Sequence, residues 1–178
     1  ARMTGWGQDG PLAQSAGHDI NYISITGALY AMGRKDEKPV PPLNLVGDMG
    51  GGGMLLVNGI LAALLETANS GQGQGIDVAA ADGAAQLMWM FQAFGMWDAT
   101  RRESNMLDGG AHYYGTYECA DGECISIGSI EPQFYALLMQ SAQLSPDDFG
   151  AQNDQSAWPL MKEKLAAVFK RKTQAQWC

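Results

Sequence analysis

The chain has 178 residues, 46% of them hydrophobic and 17% charged, a balance that suits a folded protein of one domain or one and a half. Nineteen acidic against eleven basic residues give a formal net charge of −8, which argues against a general binder of nucleic acid or of an anionic membrane. There are 23 glycines, about 13% of the chain against a usual ~7%, and only 7 prolines; the glycines therefore mark turns and close backbone approaches, not low-complexity filler.

Arg2 to Thr4 reads as the end of a strand, followed by a glycine-rich loop, Gly5 to Gly17, that contains Pro11. From Asp19 the spacing of Ile20, Ile23, Leu29 and Tyr30 predicts a helix, weakened by Gly27 and ended by Gly33. A charged, proline-bearing loop runs from Arg34 to Pro42. The most apolar helix is expected over Met49 to Asn69, with Asp48 at its first turn and Gly71 at its C-cap. Its longest apolar run, Met54 to Leu65, is interrupted by Asn58 and Gly59 and stays short of the ~18 residues of a membrane span. Gly71 to Gly75 is a turn, Ile76 to Ala80 a short buried strand, and Gly83 to Trp97 a second buried helix.

Composition shifts at Asp98 to Ala111, which reads as a linker. Tyr113 to Glu118 and Glu123 to Ser129 are the arms of a hairpin around Asp121-Gly122. A two-residue turn there would set Cys119 opposite Cys124, within reach of a disulfide; two free thiols in a reducing cytosol are the default expectation. Pro132 opens a helix to about Leu144, and a last helix covers Ala157 to about Lys172. The fold class is α/β: the end of an α/β domain over 1–97, a linker over 98–111 and an incomplete smaller α+β domain over 112–178. Neither Ala1 nor the Trp177-Cys178 end reads as a natural terminus, so a piece of a longer protein is expected. Cys119, Cys124 and Cys178 lack metal-ligand spacing, so no metal is expected.

Gly5-x-Gly7-x-x-Gly10 matches the dinucleotide fingerprint only literally, because Pro11 follows and no helix starts beneath the glycines. Gly71, Gly73 and Gly75 precede a strand and are equally weak. Gly50 to Gly53 is more informative, since each glycine in a helix costs roughly 1 kcal/mol against alanine. Either the helix packs closely on a neighbour, or a ligand sits against bare amides at its N-terminus; Asp48 beside them favours the ligand, although a plain N-cap is its commoner role. His18 sits at the start of a helix, where a cation is disfavoured and a neutral imidazole can accept a proton. His112 has no such context and reads as structural.

Three segments taken together, Gly17-His18-Asp19-Ile20-Asn21-Tyr22, Asn44-Leu45-Val46-Gly47-Asp48 with its glycines, and Ile130-Glu131-Pro132-Gln133-Phe134-Tyr135, resemble the α-methylacyl-CoA racemases of the family III CoA-transferase superfamily. Thr4 to Pro11, Gly73 to Val78 and Asn105 to Gly110 fit the same family, so the resemblance covers essentially the whole chain. It implies a Rossmann-like large domain, a small domain and a homodimer of two interlocked subunits, with the active site where one subunit's large domain meets the other's small domain. By that match His18 and Asp48 are the catalytic acid/bases, Glu131 orients His18, and Gly17, His18, Asp19, Ile20, Asn21 and Tyr22 line the substrate site.

The implied reaction inverts the α-carbon of a 2-methyl-branched acyl-CoA thioester. One group removes the proton from one face and the other returns a proton to the opposite face, so the pair titrates as a unit. Amides of Asp48, Met49 and Gly50 at a helix N-terminus would receive the charge on the thioester oxygen. Met88, Met90 and Met106, with Met96, would offer the acyl chain an adaptable surface, against the competing reading of core filling. No cofactor is required, CoA being part of the substrate; no nucleic acid or membrane partner is expected, and the expected compartment is the cytoplasm. Relatives hold the CoA phosphates with basic residues preceding this stretch, so the 178 residues alone are expected to be inactive. The alternatives are a CoA-transferase with Asp48 as nucleophile, where position 18 usually carries an aromatic residue, and a non-catalytic dimerising fragment.

Overall fold

A computed structural model of the chain describes residues 1–94 and 97–178, which form two compact units, Ala1–Trp97 and Asp98–Cys178. In the first, β1 (Arg2–Thr4) pairs in parallel with β2 (Asp77–Ala79), in the register Arg2 to Asp77, Met3 to Val78 and Thr4 to Ala79. The helix expected from Asp19 is two helices, α1 (Asp19–Ile25) and α2 (Ala28–Ala31). The break is Gly27, whose φ of 80° lies in the left-handed region that glycine enters without strain.

The long apolar helix starts earlier than its periodicity suggested. A π-helical segment, Leu45–Met54, runs directly into α3 (Leu55–Ser70), which Gly71 caps. Asn44 is the N-cap, so Asp48 lies inside the first turn and is not the cap. For Gly51 and Gly52 the reason is packing. A Cβ on Gly83 would lie 1.9 Å from the Gly51 carbonyl oxygen, and one on Gly51 would lie 2.5 Å from the Ala84 nitrogen. The π-helix and α4 (Ala80–Ala93) therefore meet backbone to backbone, a contact that any side chain would block. Helix α4 also begins at Ala80, three residues before the expected start, because the chain passes from β2 into it without a loop.

Ile23, Ala28, Ala84 and Met88 form the buried centre of this unit, with Leu29, Val46, Phe91 and Trp97 against it. In contrast, α3 buries no residue and exposes Val57, Leu61, Leu64 and Leu65. By length and composition the continuous helix Leu45–Ser70 is long and apolar enough to cross a membrane, contrary to the run-length argument, although core helices of water-soluble proteins pass the same test.

The second unit is an antiparallel hairpin, β3 (Tyr114–Glu118) and β4 (Cys124–Gly128), with α5 (Pro132–Ser141), α6 (Trp158–Phe169) and α7 (Gln174–Trp177). The turn has three residues, not two: Cys119 N–H donates to the Glu123 carbonyl at 2.7 Å, and Gly122 takes a φ of 82°. That extra residue pairs Cys124 with Glu118 and removes the direct opposition of the two thiols; Cys119, Cys124 and Cys178 are all free. Tyr117, Met139, Phe149, Met161, Leu165 and Phe169 make the core. Residues 98–111 belong to this unit rather than forming a bare linker: the Asp108 carboxylate accepts from the Asn105 N–H at 2.8 Å and its amide at 2.7 Å, and Lys162 reaches Glu103 at 2.7 Å.

Candidate active site

The first unit holds both residues expected to transfer protons, His18 and Asp48. His18 has extended backbone (φ −132°, ψ 171°) and is the N-cap of α1. The Asn21 side-chain oxygen accepts the His18 backbone N–H at 3.0 Å, which fixes the entry of the chain into the helix and leaves the His18 side chain exposed. Asp48 is half-buried in the first turn of the π-helix.

Asp19 joins the two segments. Its side chain is 4% exposed, and its Oδ2 accepts both the Gly47 N–H and the Asp48 N–H, each at 2.7 Å. The carboxylate next to His18 thus bonds the backbone of Asp48. Gly47 permits that approach, since a Cβ there would come within 2.9 Å of the same oxygen. Sequence reasoning placed Asp19 among the substrate-lining residues; the structure turns its carboxylate inward onto these amides. No local pattern announces a bond between residues 28 and 29 positions apart.

Tyr22, one turn after His18, is buried edge-on against Trp6, with ring centroids 4.7 Å apart. Gly5 and Gly17 make room for it: a Cβ on Gly5 would lie 2.2 Å from the phenolic oxygen, and one on Gly17 2.8 Å from the ring. Burial, and after it the negative charge of Asp48, raises the Tyr22 hydroxyl above its ordinary value, so the phenol lies in the field of that carboxylate. Asp19, Tyr22 and Asp48 are therefore brought together at the start of α1, directly after His18.

Two expectations change. The amides of Asp48 and Met49 are already bonded, to Asp19 and to the Asn44 carbonyl (3.2 Å), and Gly50 lies within the π-helix, so these groups are not a free cradle for an oxyanion. The buried glycines serve helix packing instead. The second concerns the methionines, of which Met88 is not at a surface. Met88 is a buried core residue of the first unit and Met90 is half-buried, whereas Met106 packs on Ala111, Tyr113 and Trp158 of the second. Met96 lies outside the described residues.

Glu131 belongs to the second unit, as the exposed N-cap of α5. Gln152, which the sequence did not flag, steadies the residues before it. Its side-chain amide donates to the Ser129 and Ile130 carbonyls at 3.1 and 2.8 Å, and the Gln152 backbone carbonyl accepts the Trp158 indole N–H at 2.8 Å. His112 is fully buried, its Nε2 2.8 Å from the Tyr135 hydroxyl, and burial pushes its imidazole down to about 4. Among the described residues no group of three or more His, Cys, Asp or Glu side chains is placed to hold a metal ion.

The family model for CoA-transferase family III matches residues 1–178. The chain belongs to that family. Among relatives, this family III chain is 48% identical over 181 residues to the mouse α-methylacyl-CoA racemase and 46% identical to the human one, in each case across 100% of this chain and 47% of the relative. It therefore spans about half the length of the curated relatives it matches. The crystal structure of Rv3272 from Mycobacterium tuberculosis superposes with a TM-score of 0.74 at 23% identity, over 99% of this chain and 46% of that one, a likeness of fold.

Proposed function

We propose that the complete protein inverts the α-carbon of 2-methyl-branched acyl-CoA thioesters. One member of the pair His18 and Asp48 takes the α-proton, the electron pair moves onto the thioester oxygen as an enolate, and the other member returns a proton to the opposite face. The roles exchange with the direction of reaction. The single observation that carries this reading is the Asp19 bridge, which brings a segment bearing an imidazole against a segment bearing a carboxyl group. The identity of 46–48% with two proteins named as racemases supports the same chemistry.

In this reading the first unit is the end of a Rossmann-like large domain and the second the beginning of a small one. The subunits interlock as a homodimer, so that Glu131 of one protomer orients His18 of the other. The exposed face of α3 is then a surface for protein and not for lipid. The chemistry needs no cofactor or metal, because a thioester makes its own α-proton acidic; the Asp48 and Met49 amides, being bonded, do not serve the enolate oxygen. The expected setting is the cytoplasm.

A CoA-transferase reading would make Asp48 a nucleophile and leave the imidazole at position 18 without a task. One enantiomer of a 2-methylacyl-CoA, incubated with the complete protein in deuterated water, separates the two. The racemase reading expects loss of optical purity and deuterium at the α-carbon without any acyl acceptor. Strict dependence on a free carboxylic acid would overturn it.

A further inference from the structure

Burying a carboxylate is expensive unless hydrogen bonds replace the water it loses. Asp19 is buried, and its compensation is concentrated on one oxygen: Oδ2 takes two short, charge-assisted bonds at 2.7 Å, while Oδ1 is buried with no partner among the described residues. The two donors are consecutive amides, Gly47 and Asp48. Two bonds from neighbouring amides to one acceptor fix the direction of that backbone as well as its distance. Gly47 is matched to this oxygen, since a Cβ there would sit 2.9 Å from Oδ2. At its other end Asp19 is the first residue of α1, joined by a single peptide bond to His18, whose own N–H is held by Asn21. The residue bearing the imidazole is therefore tied to the backbone of Asp48 through this bridge.

We infer that Asp19 is a positioning residue for proton transfer, setting the spacing of His18 and Asp48 without touching the substrate; the inference rests on the racemase reading above. Proton transfer between groups on opposite faces of one carbon is sensitive to spacing, and a misplacement of about 1 Å costs on the order of 100-fold in rate. A bridge between the two segments is the device such a pair requires.

The test compares Asp19→Ala and Asp19→Asn with the parent in the complete protein, by inversion of one 2-methylacyl-CoA enantiomer and by amide hydrogen exchange at Gly47 and Asp48. Asp19→Ala should lower kcat by about 100-fold, with KM changed less than about threefold, and should speed exchange at both amides. Asp19→Asn, which keeps a carbonyl oxygen for the two donors, should recover kcat to within about tenfold of the parent. Rates are taken per folded molecule, well below the melting temperature, so that loss of folded protein does not count as loss of turnover. Unchanged exchange at Gly47 and Asp48 in Asp19→Ala would overturn the bridge. Faster exchange with unchanged kcat would overturn its positioning role. If the parent itself performs no inversion, the racemase reading fails and the positioning role with it, whereas the bridge is still decided by exchange.

Discussion

The two units differ in the contact that dominates each interior. In Ala1–Trp97 the π-helix and α4 meet backbone on backbone, Gly51 against Gly83. In Asp98–Cys178 a larger set of rings clusters: Tyr113 meets Trp158 edge-on at 5.8 Å, His112 meets Tyr113 at 5.1 Å, and Tyr117 lies 5.0 Å from Phe169, while Gly110 lies against the bare backbone of Ser104 and Asn105. Contacts through bare backbone tolerate no added atom, and here they hold the segment that carries Asp48. Contacts through large side chains tolerate no removed atom, and here they hold a buried histidine with no part in the proposed chemistry. The crossing of the π-helix and α4 should therefore fail by overpacking and the ring cluster of the second unit by cavities or by charge.

The largest contrast is between side chains that act and side chains that pack. His18→Ala and Asp48→Ala in the complete protein should each lower inversion by at least ~1000-fold, as expected for an essential acid or base. His18 is exposed and Asp48 half-buried, so thermal melting should move little. Wild-type turnover in Asp48→Ala, measured by loss of optical purity, would remove the two-base scheme altogether.

Next in size is the glycine contact. Gly83→Ala puts a methyl 1.9 Å from the Gly51 oxygen, with backbone on both sides and no side chain free to move. It should destabilise the first unit by about 3 kcal/mol, the upper range for overpacking. Gly115→Ala, on the hairpin of the second unit with open space around its Cβ, is the control and should change little. Urea midpoints for the two variants sharpen the comparison directly: equal effects would mean that the crossing of the π-helix and α4 is looser than described.

The sequence made much of this legible where the cause is local. β1, both arms of the hairpin, Pro132 at the start of α5 and Gly71 at the end of α3 all follow from patterns a few residues long. His18, Asp48 and Glu131 came from motif resemblance, and the first two now lie on segments joined by Asp19. What stayed hidden depends on distant partners. Four glycines look like a helix N-terminus made for a ligand until Gly83, some thirty residues on, supplies the reason for Gly51, and Met3, far back in the chain, the reason for Gly52. The role of Asp19 is invisible for the same reason. The three-residue turn differs from the two-residue one by a single position, and that position decides which residue faces Cys124.

The two histidines test the contrast through pH. Burial holds His112 down at about 4, against an ordinary value of 6.5, so between these limits the unfolded chain binds the extra proton. The stability linked to neutral His112 is complete above about pH 6.5 and is lost as pH falls towards 4, at ~1.4 kcal/mol per pH unit. His112→Gln, with no group to titrate, should flatten the urea midpoint across that window. An unchanged slope in the variant would place the acid sensitivity elsewhere.

The smallest expected effect concerns the proposed orientation of His18 by Glu131. Glu131 caps α5, and the carbonyls just before it are tied to Gln152. If the carboxylate orients His18, Glu131→Gln keeps the shape and removes the charge, so kcat should fall by roughly tenfold, far less than in the loss of either acid/base. Gln152→Ala leaves the charge but frees the segment, and should lower kcat by a smaller factor that Glu131→Gln renders invisible in the double variant. Additive losses in that double variant would mean that Gln152 acts on packing alone, because a residue that works only through Glu131 has nothing left to position once the charge is gone.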